Sequence, residues 1–286
     1  MKALILGAGG QLGRCLVASA PIGAAVMAHG SDTLDVTDRA AVSACIAQLR
    51  PDVVLNAAAY TAVDRAESDE AAALAVNATA VGHLAEAARD CGARLIHVST
   101  DFVFDGRQSH PYVPGDATAP LGAYGRTKLA GELLAGEDAL IVRTAWVYAP
   151  TGGNFVRTML RLMAERDEVR VVADQIGTPT YAPGLAAALW RLAADGAKGV
   201  HHYTDAGVAS WYDFALAIQE EALGAGLLER KVPVIPITAA EYPTPAARPV
   251  YSVLDKTATF AALGGPAPHW RESLRRMVAE LARPEI

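Results

Sequence analysis

Short, almost purely apolar runs alternate with alanine-rich stretches of helical periodicity through the first half of the chain. The apolar runs lie at residues 3–6, 24–28, 53–55, 95–98 and 140–142. The stretches of helical character lie between them, near residues 11–19, 37–50, 77–91 and 123–136. Runs without polar alternation are typical of strands that are covered on both faces. The alternation therefore predicts an α/β fold with an open, doubly wound parallel sheet and right-handed crossovers.

The pattern becomes irregular after residue 150. Further helical stretches, separated by loops that contain glycine and proline, lie near residues 154–166, 183–194, 211–225 and 269–282. We expect a main domain over residues 1–150 and a smaller C-terminal lobe over residues 151–286. Some segments of this lobe are expected to return to the main sheet, and others to supply loops over a ligand pocket.

The composition of the 286-residue chain is that of an ordinary globular protein. Hydrophobic residues make up 52% and charged residues 20% of it, which excludes the disordered, collagenous and fibrous classes. The formal net charge of -6 provides no general basic field of the kind that binds nucleic acid nonspecifically. Nucleic acid is therefore not an expected partner.

The cysteines and the lengths of the apolar segments bear on the cellular compartment. Cys15, Cys45 and Cys91 lie too far apart for a Cys-x-x-Cys zinc or redox motif, and no other spacing indicates a metal site. The first apolar run ends at Gly7, before it reaches the roughly 7 to 15 residues of a secretory signal. No stretch approaches the roughly 20 apolar residues that span a bilayer. We expect a soluble, cytoplasmic protein without a metal site or a membrane partner.

The first predicted strand runs directly into a glycine-rich turn. Gly7, Gly10 and Gly13 recur at intervals of three, immediately before the first predicted helix. A tight strand-to-helix turn needs residues that tolerate positive φ, and a pyrophosphate reaches backbone amides only where no Cβ blocks it. The helix adds unpaired amides and the positive end of its dipole. This arrangement predicts a Rossmann-like, NAD(P)-binding domain.

The second predicted strand bears on the choice between NADH and NADPH. NAD-specific sites of this architecture place an acidic residue at the end of that strand, to bind the ribose hydroxyls. Here Asp32 comes slightly late, and Arg14 directly after Gly13 is suited to a 2′-phosphate. The sequence is compatible with either cofactor, and we prefer NADPH.

Hydroxyl groups follow the fourth predicted strand, at the edge where such sheets bind ligands. They belong to Ser99 and Thr100, which precede Asp101. Downstream, Tyr124 and Lys128 are four residues apart and lie on one face of a predicted helix. A free tyrosine titrates near about 10, and a nearby ammonium group would stabilise its phenolate. We expect Lys128 to lower the pKa of Tyr124 and to bind the nicotinamide ribose, while Thr100 hydrogen-bonds the reacting oxygen.

Together these motifs resemble the extended short-chain dehydrogenase/reductase superfamily and, within it, the dTDP-4-dehydrorhamnose reductases. The resemblance extends from the first residues to about residue 255. The matching stretches are residues 7–13, 56–64, 99–106, 124–132, 143–148, 154–155, 174–180 and 242–249. The later stretches are more specific than the glycine loop, which many families share.

The resemblance implies an enzyme that reduces the 4-keto group of a dTDP-linked 6-deoxy-L-hexulose with NAD(P)H. The product would be dTDP-L-rhamnose, a precursor of cell-envelope polysaccharides. The implied catalytic residues are Thr100, Tyr124 and Lys128, with Tyr124 as the general acid. Besides Tyr124 and Lys128, the implied cofactor-binding residues are Gly7, Gly10, Gln11, Leu12, Gly13, Asp35, Val36, Ala57 and Ala58. The implied substrate-binding residues are Thr61, Thr100, Asp101, Trp146, Asn154 and Arg248.

Four further positions bear on this interpretation. Asn77 is either an asparagine that lines the active site, as in the wider superfamily, or a polar residue that bends its helix. Arg248 either binds phosphate or forms a surface ion pair. His97 lies inside an apolar strand and is expected to be a core histidine rather than a ligand. Phe102 stands where sugar-nucleotide 4,6-dehydratases have a glutamate, so a dehydration would lack its acid.

Two other functions remain open. The first is the NADP-binding regulatory subunit of methionine adenosyltransferase, a binding module that resembles this reductase family. The second is another nucleotide-sugar reductase or epimerase, because the base and sugar preferences depend on the shape of the pocket. Whether the chain acts as a monomer or a homodimer also stays open.

Overall fold

The computed structural model describes residues 1–283 of the chain. The strands are β1 (Lys2–Leu6), β2 (Ala25–His29), β3 (Val53–Asn56), β4 (Arg94–Thr100), β5 (Leu140–Thr144), β6 (Val147–Tyr148), β7 (Val169–Val172), β8 (Ile176–Gly177), β9 (Thr180–Tyr181), β10 (Gly199–His202), β11 (Ala209–Ser210) and β12 (Val234–Ile237). The helices are α1 (Gln11–Ala18), α2 (Arg39–Leu49), α3 (Val63–Ala66), α4 (Glu70–Leu74), α5 (Ala80–Cys91), α6 (Ala123–Ala135), α7 (Phe155–Glu165), α8 (Ala182–Ala194), α9 (Trp211–Gly224), α10 (Thr257–Ala262) and α11 (Trp270–Leu281).

Six parallel strands form the main sheet, in the order β10-β5-β4-β3-β1-β2. The five predicted apolar runs form β1 to β5, and a helical connection separates each from the next. The predicted doubly wound α/β fold is therefore confirmed. The expectation that every run is covered on both faces was wrong for β2. Because β2 is an edge strand, it lacks a neighbour on one side, and Met27 is 46% exposed.

The two faces of the main sheet are covered by different helices. Along β1, Ile5 faces one hydrophobic cluster and Leu4 the opposite one, because successive side chains of a strand alternate between its faces. The Ile5 cluster includes residues of α1 and α8, and the indole of Trp190 donates to the carbonyl of Leu16 at 2.9 Å. The Leu4 cluster includes residues of α2 and α5. Burial of each large aliphatic side chain contributes about 1.5–3 kcal/mol.

A separate hydrophobic core lies in the second half of the chain. It is built mainly from α7, α9 and α11 around the parallel pair β7–β12, and Phe214, Trp270 and Met277 are among its buried side chains. By contrast, α8 packs on the main sheet and β10 extends that sheet beside β5. Segments beyond residue 150 thus contribute to both the second core and the main sheet.

A π-helical turn interrupts the helix before β4. It spans Ala75–Thr79, between α4 and α5, so the helical region begins before the predicted residue 77. A Cβ at Gly131 would overlap the carbonyl oxygen of Asn77, so α6 approaches the π turn closely only because residue 131 is glycine. Such turns are frequent at functional sites.

None of the helices within residues 1–283 is both long and apolar enough to cross a membrane.

Candidate active site

The glycine turn after β1 has the geometry that its sequence predicts. Gly7 has a φ of 74°, and a Cβ on it would lie 2.6 Å from the amide nitrogen of Ala58. A Cβ on Gly13 would overlap the carbonyl oxygen of Gly7. The amide of Gly10 donates to that same oxygen at 3.0 Å, which closes the turn before α1 begins. Glycine at positions 7 and 13 is therefore required by the packing of the backbone itself.

A cleft of about 460 Å³ opens beside this turn at the carboxyl ends of β1, β2 and β3. It brings together predicted cofactor-binding residues from three separate parts of the chain. They are Gly7, Gly10, Asp35, Val36, Ala57 and Ala58. The Asp35 carboxylate accepts hydrogen bonds from the amide and hydroxyl of Thr37 at 2.9 and 2.7 Å, and these bonds lower the pKa of Asp35.

The other predicted loop residues serve mainly the packing of the turn. Leu12 is buried in the core beneath the sheet. Gln11 is not among the residues that line the cleft, and its side-chain amide donates to the carbonyl of Gly153 at 3.2 Å. Arg14 is exposed and donates to the carbonyl of Gly9 at 3.0 Å, which holds its guanidinium beside the loop.

The predicted hydroxyl pair, Thr100 and Tyr124, meets at the carboxyl end of β4. Burial raises the pKa of Tyr124 to about 12; a hydrogen bond with Thr100 opposes this shift and the charge of Asp101 adds to it. Thr100 also donates to the Asp101 carboxylate at 3.0 Å. The ring of Phe102 contacts Tyr124 edge-on, with centroids 5.5 Å apart. The Tyr124 phenol is thus a group that keeps its proton at neutral pH.

The amine of Lys128 is directed towards β4. It donates to the carbonyl of Val98 at 2.7 Å and lies 3.1 Å from Nε2 of His97. Nδ1 of His97 lies 3.1 Å from the side-chain nitrogen of Asn56, whose oxygen accepts from the amide of Ala58 at 3.1 Å. Burial lowers the pKa of Lys128 to about 8. The expected lowering of the pKa of Tyr124 is not found in this structure, since burial of the phenol dominates and the Lys128 amine is held by β4.

Asp101 is a buried carboxyl group beside this hydroxyl pair. It is 2% exposed, and burial raises its pKa to about 6, an effect that the hydroxyls of Ser252 and Thr100 oppose. Within residues 1–283, Oδ2 of Asp101 has no hydrogen-bond partner. An unpaired buried acceptor is unfavourable unless a ligand or a proton satisfies it.

A buried ion pair lies one helical turn beyond Lys128, and sequence reasoning missed it. Glu132 and Arg143 approach to 2.7 Å with side chains 4% and 5% exposed, and the Ser99 hydroxyl donates to the same carboxylate. The pair joins α6 to β5. An arginine in a strand whose five residues are all buried was the signal, because a buried charge needs a partner.

Asn77 of the π turn connects the loop after β3 to α6. Its side-chain oxygen accepts from the amide of Tyr60 at 2.8 Å, and its nitrogen donates to the carbonyl of Tyr60 and the hydroxyl of Thr127, each at 3.1 Å. Thr127 precedes Lys128. Asn77 therefore fixes α6, which carries Tyr124 and Lys128, relative to the cleft.

A second cleft, of about 500 Å³, lies between α7, β7 and the loop near residue 244. Its lining includes Arg161, Arg166 and Arg170, the indole of Trp211, and Arg248. The combination of several guanidinium groups with an aromatic ring suits a ligand that carries both phosphates and a flat base.

Arg248 forms an ion pair at the edge of this cleft. Its two terminal nitrogens donate to the Asp64 carboxylate at 3.0 and 2.8 Å, and this hydrogen bonding lowers the pKa of Asp64. Of the two interpretations from sequence, the ion pair is present. The guanidinium also lines the cleft, so it retains a position from which it can contact a ligand.

Trp146 has a strained backbone and a stacked ring. Its φ of 48° lies in the left-handed region that bulky residues avoid. The indole stacks on Trp211 with centroids 3.5 Å apart, and a Cβ on Gly177 would lie 2.7 Å from it. Strain of this kind persists where the surroundings impose it, often at ligand sites.

Two predicted substrate residues occupy other settings. Asn154 caps α7 by accepting from the amide of Arg157 at 3.1 Å, and its nitrogen donates to Ala149 at 2.8 Å and to Gln11 at 3.0 Å. Its side chain is thus fully engaged by the protein. Thr61 is exposed on the loop after β3.

The part of the chain that the structure describes contains no group of three or more His, Cys, Asp or Glu side chains that could hold a metal ion.

Comparison with known proteins gives one family. The chain matches the family described as RmlD substrate binding domain over residues 1–283. A dTDP-4-dehydrorhamnose reductase of Mycobacterium tuberculosis is 48% identical over 288 residues, which cover 97% of this chain and 92% of the relative. The enzyme of that name from Escherichia coli is 43% identical, with 98% of each chain covered.

A solved structure agrees with these relatives. It is the crystal structure of dTDP-4-dehydrorhamnose reductase from Bacillus anthracis in complex with NADP, which has a TM-score of 0.92 and 36% identity over 98% of this chain and 99% of its own. The matches cover both the glycine cleft and the second, arginine-lined cleft. The chain therefore belongs to the RmlD substrate binding domain family, together with the dTDP-4-dehydrorhamnose reductases.

Proposed function

We propose that this protein reduces dTDP-4-dehydro-L-rhamnose to dTDP-L-rhamnose with NADPH or NADH. The observation that carries the proposal is the meeting of Thr100 and Tyr124 at the carboxyl end of β4. A chain of contacts through His97, Asn56 and Ala58 links the neighbouring Lys128 to the glycine cleft. The helix that carries the proposed proton donor, Tyr124, is thereby connected to a site shaped for a dinucleotide.

The glycine cleft fits a dinucleotide cofactor. The close approaches at Gly7 and Gly13 leave backbone amides without covering side chains, at the start of a helix. Ala57 and Ala58 add small walls, and the Asp35 carboxylate is placed for ribose or adenine contact. When bound, NADPH or NADH supplies the hydride that the ketone carbon accepts.

Tyr124 is proposed as the acid that completes the reduction. A ketone that gains a hydride at carbon needs one proton at oxygen to become an alcohol. The raised pKa of Tyr124 keeps its phenol protonated at neutral pH, and Thr100 is placed to hold the same oxygen. Asp101, whose buried Oδ2 has no hydrogen-bond partner within residues 1–283, would accept a hydrogen bond from a sugar hydroxyl.

The arginine-lined cleft is proposed to hold the dTDP portion of the substrate. Arg161 of α7, Arg166 directly after it and Arg170 of β7 would bind the diphosphate together with Arg248. Trp211 would pack against the base. Trp146, which stacks on Trp211, would pack against the sugar. Because Phe102 replaces the acid that a dehydratase needs, reduction is the chemistry that these residues support.

Oxidation of the cofactor over a panel of nucleotide-linked 4-keto sugars tests this function. The absorbance of NADPH and NADH would be followed separately with dTDP-, UDP- and GDP-linked substrates, and the product identified by mass spectrometry and NMR. We expect turnover with the dTDP-linked 4-keto-6-deoxy sugar. A preference for another base or sugar would indicate a different nucleotide-sugar reductase or epimerase. Cofactor binding without turnover, with co-purification of a synthetase, would indicate the regulatory-subunit function.

A further inference from the structure

The side-chain amide of Asn56 has only one orientation that satisfies its neighbours. Its Oδ1 accepts the backbone N–H of Ala58 at 3.1 Å. The flipped orientation would set the NH₂ group against that N–H, donor against donor. Nδ2 is therefore the atom that faces Nδ1 of His97 at 3.1 Å, and Asn56 is the donor in this contact.

This orientation fixes the tautomer of His97. The imidazole is completely buried and this burial lowers its pKa, so the ring is neutral. A neutral imidazole carries one N–H and one bare nitrogen. Because Nδ1 accepts from Asn56, the proton resides on Nε2. That N–H points at Nζ of Lys128, 3.1 Å away.

The contact between His97 and Lys128 therefore requires an acceptor on the lysine. An ammonium group has three donors and no lone pair, whereas a neutral amine has one lone pair. The amine also donates to the carbonyl of Val98 at 2.7 Å, which a neutral amine does equally well. The set of contacts is self-consistent only with an uncharged Lys128.

We infer that His97, held in its Nε2–H tautomer by Asn56, is a positioning residue that stabilises the neutral amine of Lys128 in the cofactor-free protein. The inference deepens the proposed function, since it rests on the proposed catalytic role of Lys128. Burial acts in the same direction and lowers the pKa of Lys128 to about 8, so the neutral amine is the main form above that pH.

The charged groups around Lys128 are consistent with a neutral amine at this position. Glu132, on the same helix, is the carboxylate that favours the ammonium form, but it is bound by Arg143 of β5 and by the Ser99 hydroxyl of β4. At the carboxyl end of β4, Asp101 has its Oδ1 bonded to the hydroxyl of the neighbouring threonine. Tyr124, one turn before Lys128, keeps its proton.

Protonation of Lys128 would have a consequence at the cofactor cleft. An ammonium group needs Nε2 of His97 as an acceptor, which moves the ring proton to Nδ1, against the NH₂ of Asn56. Either the Asn56–His97 contact breaks or Asn56 rotates and releases the amide of Ala58, which lines the cleft. The charge of Lys128 and the hydrogen bonding of Ala58 are therefore coupled, and the coupling is reciprocal.

Nitrogen-15 NMR of the full chain with labelled histidine tests the tautomer without any turnover. In the cofactor-free protein, at a pH above the Lys128 pKa of about 8, we expect His97 to show a protonated Nε2 and an unprotonated Nδ1. Carbon-13 NMR of labelled lysine would follow Lys128, which we expect to titrate below the other lysines.

Asn56→Asp keeps nearly the same side-chain shape but replaces the hydrogen-bond donor that faces Nδ1 of His97 with an acceptor. One carboxylate oxygen still accepts from Ala58, while the other accepts from Nδ1–H of His97, so Nε2 becomes the acceptor. We expect the His97 proton to move to Nδ1 and Lys128 to titrate about one pH unit or more higher than in the unsubstituted protein. The pH profile of kcat/KM should shift in the same direction.

His202→Gln is the matched control. His202 is also a buried neutral histidine, but its Nδ1 lies 3.0 Å from the carbonyl of Tyr112, in another part of the sheet. This variant should leave the titration of Lys128 unchanged. A protonated Nδ1 on His97 in the unsubstituted chain, or a Lys128 that titrates with the exposed lysines, would overturn the inference even if Asn56→Asp fails to fold. Failure to reduce the sugar nucleotide would instead count against the proposed function, and the NMR result would stand.

Discussion

The side chains of Gln11 and Asn154 share a hydrogen bond of 3.0 Å although 143 positions separate them along the chain. Gln11 begins α1, directly after the glycine turn, and Asn154 caps α7, which lines the arginine-rich cleft. Gln11 also donates to the carbonyl of Gly153 at 3.2 Å. The two clefts are therefore joined by a short bridge between the N-terminal ends of two helices.

A double-mutant cycle measures the strength of this bridge. Asn154→Ala removes a helix cap as well and should lower the free energy of unfolding by about 1–2 kcal/mol. Combined with Gln11→Ala, the two effects should fall short of additivity by about 0.5–1.5 kcal/mol, because the same bond is lost in both variants. Urea unfolding of the four proteins gives the coupling.

Asp38→Ala provides the control for that cycle. Asp38 caps α2 by accepting from the amide of Ala41 at 3.0 Å. Its loss should be of similar size to the loss at Asn154. Together with Gln11→Ala it should be additive, and additivity in the Asn154 cycle as well would contradict the bridge.

Removal of the Tyr124 hydroxyl should abolish most of the turnover. Tyr124→Phe is expected to lower kcat by about 10²–10⁴, the range for loss of a general acid, while binding of NADPH stays within a few-fold. Tyr148→Phe is the control, since Tyr148 is a buried tyrosine of the second core. Steady-state kinetics and fluorescence titration separate the two effects, and full activity in Tyr124→Phe would refute the assignment.

The ion pair between Glu132 and Arg143 should be important for stability. Glu132→Gln leaves a buried guanidinium without its counter-charge, so we expect the free energy of unfolding to fall by about 3–5 kcal/mol. Glu165→Gln breaks the exposed pair with Arg161, whose side chains are more than half exposed, and should lower it by at most about 0.5 kcal/mol. Equal losses in denaturant unfolding would show that burial is not the cause.

Asp101 should make stability depend on pH in an unusual direction. Burial raises its pKa in the folded state to about 6 from 3.8, so between these values the folded state binds a proton more tightly than the unfolded state. The ionised group therefore disfavours folding above pH 6, and this effect disappears as the pH falls below about 4.

Asp101→Asn isolates this contribution. We expect the variant to be more stable than the unsubstituted protein at pH 8, by up to about 2–3 kcal/mol, with the difference shrinking as the pH falls through 6. The activity of the variant should fall, because the carboxylate proposed to accept a hydrogen bond from the sugar is lost. Urea unfolding at pH 8, 6 and 4 provides the measurement, and a difference that grows on acidification would contradict a raised pKa.

Two glycines of the same turn offer a matched pair. A Cβ on Gly13 would overlap the Gly7 carbonyl, whereas a Cβ on Gly9 would have nothing within 4 Å. Gly13→Ala should weaken NADPH binding by about tenfold or more, because the turn must open to admit the methyl group. Gly9→Ala should bind within about threefold of the unsubstituted protein. Isothermal titration compares them, and similar affinities would argue against a cofactor site in this turn.

Local patterns were sufficient to predict the main sheet and the helix that carries Tyr124 and Lys128. The apolar runs gave β1 to β5 because a covered strand has no polar face, and the spacing of Tyr124 and Lys128 placed both on α6. The exposure of Met27 could not be inferred in this way, because it depends on which strand ends at the edge of the sheet. The division near residue 150 stays a prediction.

The polar contacts of the site were largely beyond the reach of sequence patterns. Lys128 was expected to face Tyr124, but its partner His97 comes from a strand 31 positions earlier, and Arg248 pairs with Asp64 across 184 positions. Such pairs are fixed by the packing of whole elements. Helical spacing defines only a face, and the direction of a flexible amine on that face is decided by acceptors that the fold brings to it.

The position of β10 beside β5 has a consequence for co-translational folding of this protein. All five residues of β5 are buried, and one of its edges pairs with residues 199–202. Until that later segment has emerged, the nascent chain presents an open, apolar strand edge to which other chains can attach. A fragment that stops at residue 150 should therefore be prone to aggregate, and the unfinished chain is a natural client for chaperones during synthesis.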